Sequence, residues 1–184
     1  MNKFDFSVFP NLETQRLLLK EITKDDAEAL YAMRTNPDVM RYIDRPIPSS
    51  IDEVIDLIEK MKIMKENGEG VSWGIYLKEN PSLQIGNIGF FRSMPEHFRA
   101  EIGYMLTPDN HRKGLMFEAM QKVLEYGFNE MKLHSVEAHI NALNDASANI
   151  LVKAGFVREG YFKENYFFNN KFIDTAVYSL INNK

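Results

Sequence analysis

Apolar residues recur along the chain with two different periods, and the switch between them is sharpest between Arg99 and Asn129. Ile102, Tyr104 and Leu106 alternate with Glu101, Gly103 and Met105, the period of a pleated strand. Pro108, Asp109 and Asn110 interrupt that alternation. From Leu115 the spacing lengthens, and Met116, Ala119, Met120, Val123 and Leu124 share one face of an amphipathic helix. Between the two lies His111-Arg112-Lys113-Gly114, a turn with cations, a glycine and no acid. The first N–H groups of a helix lack internal acceptors and carry the positive end of its dipole. A basic turn entering a helix therefore predicts either a phosphate-binding site or simply solvated charge.

The same two periods order the rest of the chain. Phe4, Phe6 and Val8 alternate, which suits an extended arm over residues 1–11 that docks or frays. Glu13 to Glu21 reads as a first strand. Thr23 with Asp26 has the spacing of a capping box and opens a helix carrying Ala27, Leu30 and Tyr31, ended by Asn36-Pro37. Arg41 to Ser50 holds two prolines and predicts a loop. Ser50 with Glu53 forms a second box before the stripe Val54, Leu57, Ile58 and Met61, and Asn67-Gly68 closes that helix.

Three strands follow, Val71 to Glu79, Leu83 to Ser93 and the one from Arg99, with a turn at Asn80-Pro81-Ser82. Their short connections favour antiparallel neighbours. After the long helix, Val136, Ala138 and Ile140 alternate, so this strand–helix–strand unit predicts a parallel, right-handed pairing. Asn144-Asp145-Ala146-Ser147 starts a short helix closed by Gly155, and the strands Val157–Phe168 and Phe172–Ile181 meet across Asn169-Asn170. The expected fold is mixed α/β in the order β-α-α-β-β-β-α-β-α-β-β, one domain over residues 1–184.

Composition narrows what such a domain can do. A chain of 184 residues, 45% hydrophobic, can bury a sizeable core. The net charge of −4 argues against a nucleic-acid-coating protein. The absence of cysteine excludes disulfides, thiolate metal sites and a cysteine nucleophile, and fits a cytoplasmic protein. No apolar run of signal-peptide or membrane-spanning length occurs, so no membrane partner is expected. His134 and His139 lie five apart, without ligand spacing, and no metal is implied. A nucleophile elbow and a Walker-type loop are also missing. Aromatics such as Phe90, Phe91, Tyr166, Phe167 and Phe168 suit core packing or an acceptor cleft.

NHRKGLMFEAM and NALNDASANILVKAGFVREG, with the opening LETQRLLLKEIT and the closing DTAVYSL, resemble the GCN5-related N-acetyltransferase superfamily. The branch most resembled contains the ribosomal-protein N-terminal acetyltransferases, and the likeness runs from about Leu12 to Leu180. It implies transfer of acetyl from acetyl-CoA to an amine, either a protein N-terminus or a small amine. It also implies a mostly antiparallel sheet whose central parallel pair splays apart, and is compatible with a homodimer.

The coenzyme residues follow from the same resemblance. The turn His111, Arg112, Lys113, Gly114, Leu115 and Met116 would wrap the pyrophosphate through backbone N–H groups, and Met105 and Leu106 would bond the pantetheine arm. His111 and Met116 depart from the family's usual glutamine or arginine and its closing glycine or alanine. Asn144 stands where the family touches the coenzyme arm, and is equally suited to capping its helix. The tyrosine that many members use as acid toward the thiolate is replaced by Leu151; the resembled branch points instead to Ser147, whose ordinary role would be a bond to its own backbone. For the base, a carboxylate is the obvious chemistry. Glu101 is the first candidate and Glu164 the second, with Tyr166 an alternative at the later place. The acceptor cleft is expected between the helices at Ala27–Arg34 and Val54–Met64 and the last hairpin. A module that binds acyl-CoA without turnover is the rival from another class.

Overall fold

A computed structural model describes residues 4–182. Its strands are β1 (Leu12–Glu13), β2 (Leu17–Glu21), β3 (Val71–Leu77), β4 (Asn80–Met94), β5 (Arg99–Leu106), β6 (Ser135–Asn141), β7 (Val157–Phe168) and β8 (Lys171–Ile181). The helices are α1 (Ala27–Thr35), α2 (Pro37–Met40), α3 (Ile51–Glu66), α4 (Leu115–Asn129) and α5 (Asp145–Lys153). The strands form one sheet in the order β1-β2-β3-β4-β5-β6-β8-β7, antiparallel throughout except for β5 with β6. The expected class and central parallel pair are present. The first strand is broken in two, because the chain turns at Thr14–Arg16 before resuming.

Residues at alternate positions divide the sheet into two faces. Trp73, Ile75, Ile88, Phe90, Ala100, Ile102, Val136 and Ala138 pack beneath α4, whose Ala119, Met120 and Val123 are fully buried. Trp73 anchors this core, with Phe9, Phe90 and Tyr126 edge-on to its indole. On the other face Ile22, Ala27, Leu30, Val54 and Ile58 form a smaller core between α1 and α3. The arm docks from Phe4 onward. Phe6 is buried and the carbonyl of Pro10 accepts the Trp73 indole N–H at 2.6 Å, while residues 1–3 lie outside those described.

Several local expectations need correcting. Asn36-Pro37 does not simply end a helix: the Asn36 side chain accepts from Asp38 N–H at 2.9 Å and starts α2, with Pro37 in its first turn. Glu53 closes its loop on Ser49, accepting from that residue's N–H and hydroxyl at 2.9 and 2.6 Å, while Ser50 caps α3 alone. The turn before β4 falls at residues 78–79. Pro81 belongs to β4, in a stretch of irregular register with β3 where its missing N–H removes no regular ladder bond.

The approach of α4 to the sheet depends on Gly127. A Cβ built there would lie 2.7 Å from the ring of Phe90, which is itself fully buried. Gly127→Ala should therefore destabilise the fold by about 1–3 kcal/mol despite alanine's better helix propensity. Urea melts measure this directly, and a stability gain would show that the ring can move aside.

Candidate active site

β5 and β6 pair at Arg99↔Ser135, Ala100↔Val136 and Glu101↔Glu137, and at no later position. Beyond Glu101, β5 remains on β4 as far as Leu106. β6 remains on β8 along its whole length. The two strands therefore part within an otherwise continuous sheet. A cavity of about 830 Å³ opens beside the gap. It is lined by Tyr104, Met105 and Leu106 of β5, the turn before α4, the starts of α4 and α5, and residues 38, 39 and 41–43.

The turn at the cavity edge is held in an unusual backbone conformation. Arg112 has φ +58° and Gly114 φ +76°, so the chain folds tightly into the first turn of α4. Among the described residues, the backbone N–H groups from Arg112 through Phe117 donate to no protein acceptor, and the next, Glu118, bonds the Gly114 carbonyl. Arg112, Arg41 and Lys153 add cations to the lining, the last lying 4.3 Å from the Phe117 ring centroid. Free donors at a helix start, the dipole behind them and these cations suit a pyrophosphate. The His111 ring turns away from this role: its Nε2 lies 2.9 Å from the Leu106 carbonyl and ties the turn to the end of β5. Lys113 is not in the lining, and its carbonyl accepts from Arg16 at 3.0 Å.

Arg16 belongs to a buttress that pattern reading missed. Glu118, in the first turn of α4, accepts from the Thr14 hydroxyl at 2.6 Å and from the Arg16 N–H and Nε at 2.9 and 2.7 Å. Burial pushes the Glu118 carboxyl up, but these donors together outweigh it and hold the group below its ordinary range. The visible signal was the polar Thr14-Gln15-Arg16 heading an apolar strand.

On α5, Asn144 is the N-cap, its Oδ1 accepting from Ser147 N–H at 3.0 Å. Ser147 does not spend its hydroxyl on its own helix. Its Oγ lies 2.7 Å from the Tyr104 hydroxyl, and the serine is 8% exposed. Burial is the chief reason that Tyr104 is pushed up to about 12; the Ser147 bond lowers it in part, and Tyr178 raises it. The phenol thus stays protonated near neutral pH and can feed a proton to Ser147. The alternation of β5 gives Tyr104 only as a strand residue, with no sign of this bond. Leu151 is wholly buried in the main core and does not line the cavity.

The carboxylates sit elsewhere. Glu101, on the face opposite α4, pairs with Arg92 at 2.9 Å and lies opposite Glu137 at the last β5–β6 bridge. Glu164 is exposed at an irregular point of the last hairpin, where φ is +51° and its N–H donates to Asp174. Neither lines the cavity. Tyr166 donates to the Asp44 carbonyl at 3.2 Å and accepts from Arg45 at 3.1 Å, tying the hairpin to the loop after α2. On its remaining side this cavity is walled by residues 38, 39 and 41–43.

Residues 16–157 match the family model described as the acetyltransferase (GNAT) domain. Over 174 residues the chain is 38% identical to YoaA of Bacillus subtilis (strain 168), an uncharacterised N-acetyltransferase, covering 95% of this chain and 98% of that one. RimL, a ribosomal L7/L12 alpha-N-protein acetyltransferase solved with coenzyme A, superposes with a TM-score of 0.85 at 18% identity, over 94% of this chain and 98% of that one. Spermidine N-acetyltransferase from Vibrio cholerae, solved with CoA and spermine, gives 0.80 at 21% identity, over 90% and 95%. At these identities the two structures establish the fold. The matched family model and the curated relative, named an N-acetyltransferase, make the class that of an acyltransferase. The chain belongs to the GNAT acetyltransferase family.

Two measurements probe the turn. A Cβ on Gly114 would meet only Arg16, at 3.6 Å, so backbone conformation and not space demands glycine. Gly114→Glu adds strain and a negative charge, and should weaken acetyl-CoA at least tenfold, about 1.4 kcal/mol, by calorimetry. Unchanged affinity would remove the turn as a phosphate site. For Glu118, a carboxyl lowered in the folded state, the contribution to stability is complete above its unfolded pKa of about 4.3 and lost as pH falls through the folded value. Glu118→Gln should lower stability at neutral pH and flatten the acid side of the stability profile.

Proposed function

We propose that this chain, acting as one domain over residues 1–184, moves an acetyl group from acetyl-CoA to a primary amine by direct attack in a ternary complex. What carries the reading is the run of unbonded N–H groups from Arg112 to Phe117 beside the gap between β5 and β6. These donors and Arg112 would hold the pyrophosphate, and the exposed edge of β5 at Met105 and Leu106 would align the pantetheine arm. The Leu106 carbonyl is already engaged by His111. Asn144 fixes the start of α5, and with it Ser147.

Acetyl-CoA supplies the acetyl group as a thioester. The amine nitrogen forms the new C–N bond, the C–S bond breaks, and the sulfur takes a proton. Ser147 would deliver that proton, with Tyr104, hydrogen-bonded to it, behind it to replace it. With no cysteine in the chain, a cysteinyl acetyl-enzyme has no nucleophile. The incoming ammonium meets the opposite face of the sheet, where Glu101 supplies negative charge toward it. The acceptor we favour is a protein N-terminal α-amine, following the branch resembled, with small amines such as polyamines second. The net charge of −4 suits cationic acceptors of either kind.

Purified protein with acetyl-CoA, screened against free-N-terminus peptides and small amines with free thiol as readout, tests the reading. Tight acetyl-CoA binding with no acetylation of any amine would favour the non-catalytic module. Ser147→Ala should lower kcat roughly 10- to 100-fold while the KM for acetyl-CoA stays near that of the unaltered enzyme. Equal turnover would retire the serine as acid.

A further inference from the structure

We propose that His139, oriented by Glu137, is the base that removes the proton from the incoming amine. The inference rests on the transferase reading above and assigns the step which that reading leaves open. Alternation along β6 places Glu137, His139 and Asn141 on the face opposite α4, since Val136, Ala138 and Ile140 pack into the main core. Glu137 makes the last bridge to β5, so His139 is the first residue on that face to stand where the strands have parted.

The neighbouring carboxylates are poorly suited to the task. Glu101 and Glu137 lie side by side at the last bridge, and each is matched by its own guanidinium, Arg92 at 2.9 Å and Arg99 at 2.8 Å. Both carboxylates are thus engaged by cations, whereas the step needs an unoccupied lone pair. The second oxygen of Glu137 lies 3.2 Å from His139 Nε2. An ionised carboxylate only accepts, so Nε2 carries the hydrogen and the neutral ring keeps its lone pair on Nδ1. Among the described residues Nδ1 has no partner. The His139 side chain is 34% exposed, which gives the proton an exit to water.

The charged groups around it are Glu137 on its own strand, Glu101 and Arg99 of β5, and Arg92 of β4. The loop after α2 brings Asp44, which is bonded to Asn141 and faces Arg45. β8 presents Val177 opposite His139, which is not titratable. In the step, an N–H bond of the ammonium breaks and an Nδ1–H bond forms. The freed nitrogen pair attacks the thioester carbon, and the imidazolium later releases its proton to water.

The test compares pH profiles of kcat/KM for His139→Gln, Glu137→Gln and Glu101→Gln on an amine that the unaltered enzyme acetylates, with acetyl-CoA affinity measured in parallel. His139→Gln should bind acetyl-CoA unchanged, lose about 100-fold in kcat and lose the acid limb of the profile. Glu137→Gln should lower kcat with the KM for the amine little changed, and Glu137→Asp should restore part of the loss; a merely structural role would not give that recovery. An unchanged limb in His139→Gln, or its disappearance in Glu101→Gln alone, overturns the assignment. If the unaltered enzyme binds acetyl-CoA but acetylates no amine, the transferase reading itself fails, and the base falls with it.

Discussion

The rest of the molecule depends on two neighbouring strands that begin paired and then part. A strand that leaves its partner exposes backbone donors and acceptors, and burying them unbonded would cost stability. Here each strand keeps one good neighbour, β4 for β5 and β8 for β6, so only the edges facing the gap are left open. α4, packed on the main core through Ala119, Met120 and Val123, holds the two halves of the sheet together beneath the opening. The gap is thus sustained by ordinary packing on either side, and its open edges are available to a ligand.

The same division explains why the chemistry falls on two sides. The α4 and α5 face supplies N–H groups, cations and the Tyr104–Ser147 hydroxyl pair, which suit phosphates and a departing thiolate. The opposite face supplies Glu101, Glu137 and His139, which suit a cation that must lose a proton. The proposed donor and acceptor would then approach from opposite sides and meet only where the sheet is open. The Glu118–Arg16 clamp ties the turn before α4 to β2, so the phosphate end is braced by the far side of the sheet.

Much of this was legible in the residue order. The two periods located the β5–α4–β6 unit, and Asn144 and Gly155 marked the ends of α5 as their backbone chemistry requires. What stayed hidden were contacts between residues far apart in sequence. Tyr104 and Ser147 are separated by a helix and a strand, and neither alone announces the bond between them. Glu118 reads as one more acid on a helix face until β2 brings Arg16 to it. His139 reads as an isolated histidine until the end of the β5–β6 pairing is known. Other misses were local conflicts of signal: Asn36-Pro37 serves both to stop one helix and to cap the next, and Pro81 looks like a turn residue although it lies in a strand.

The central claim is that the amides from Arg112 to Phe117 are the anchor for the phosphates of acetyl-CoA. Residue-resolved hydrogen exchange with and without that ligand tests it most directly. The expected result is fast exchange at these positions in the free protein and marked protection on adding acetyl-CoA. Protection already present without ligand, or saturating acetyl-CoA that slows exchange elsewhere and leaves these amides untouched, would contradict it.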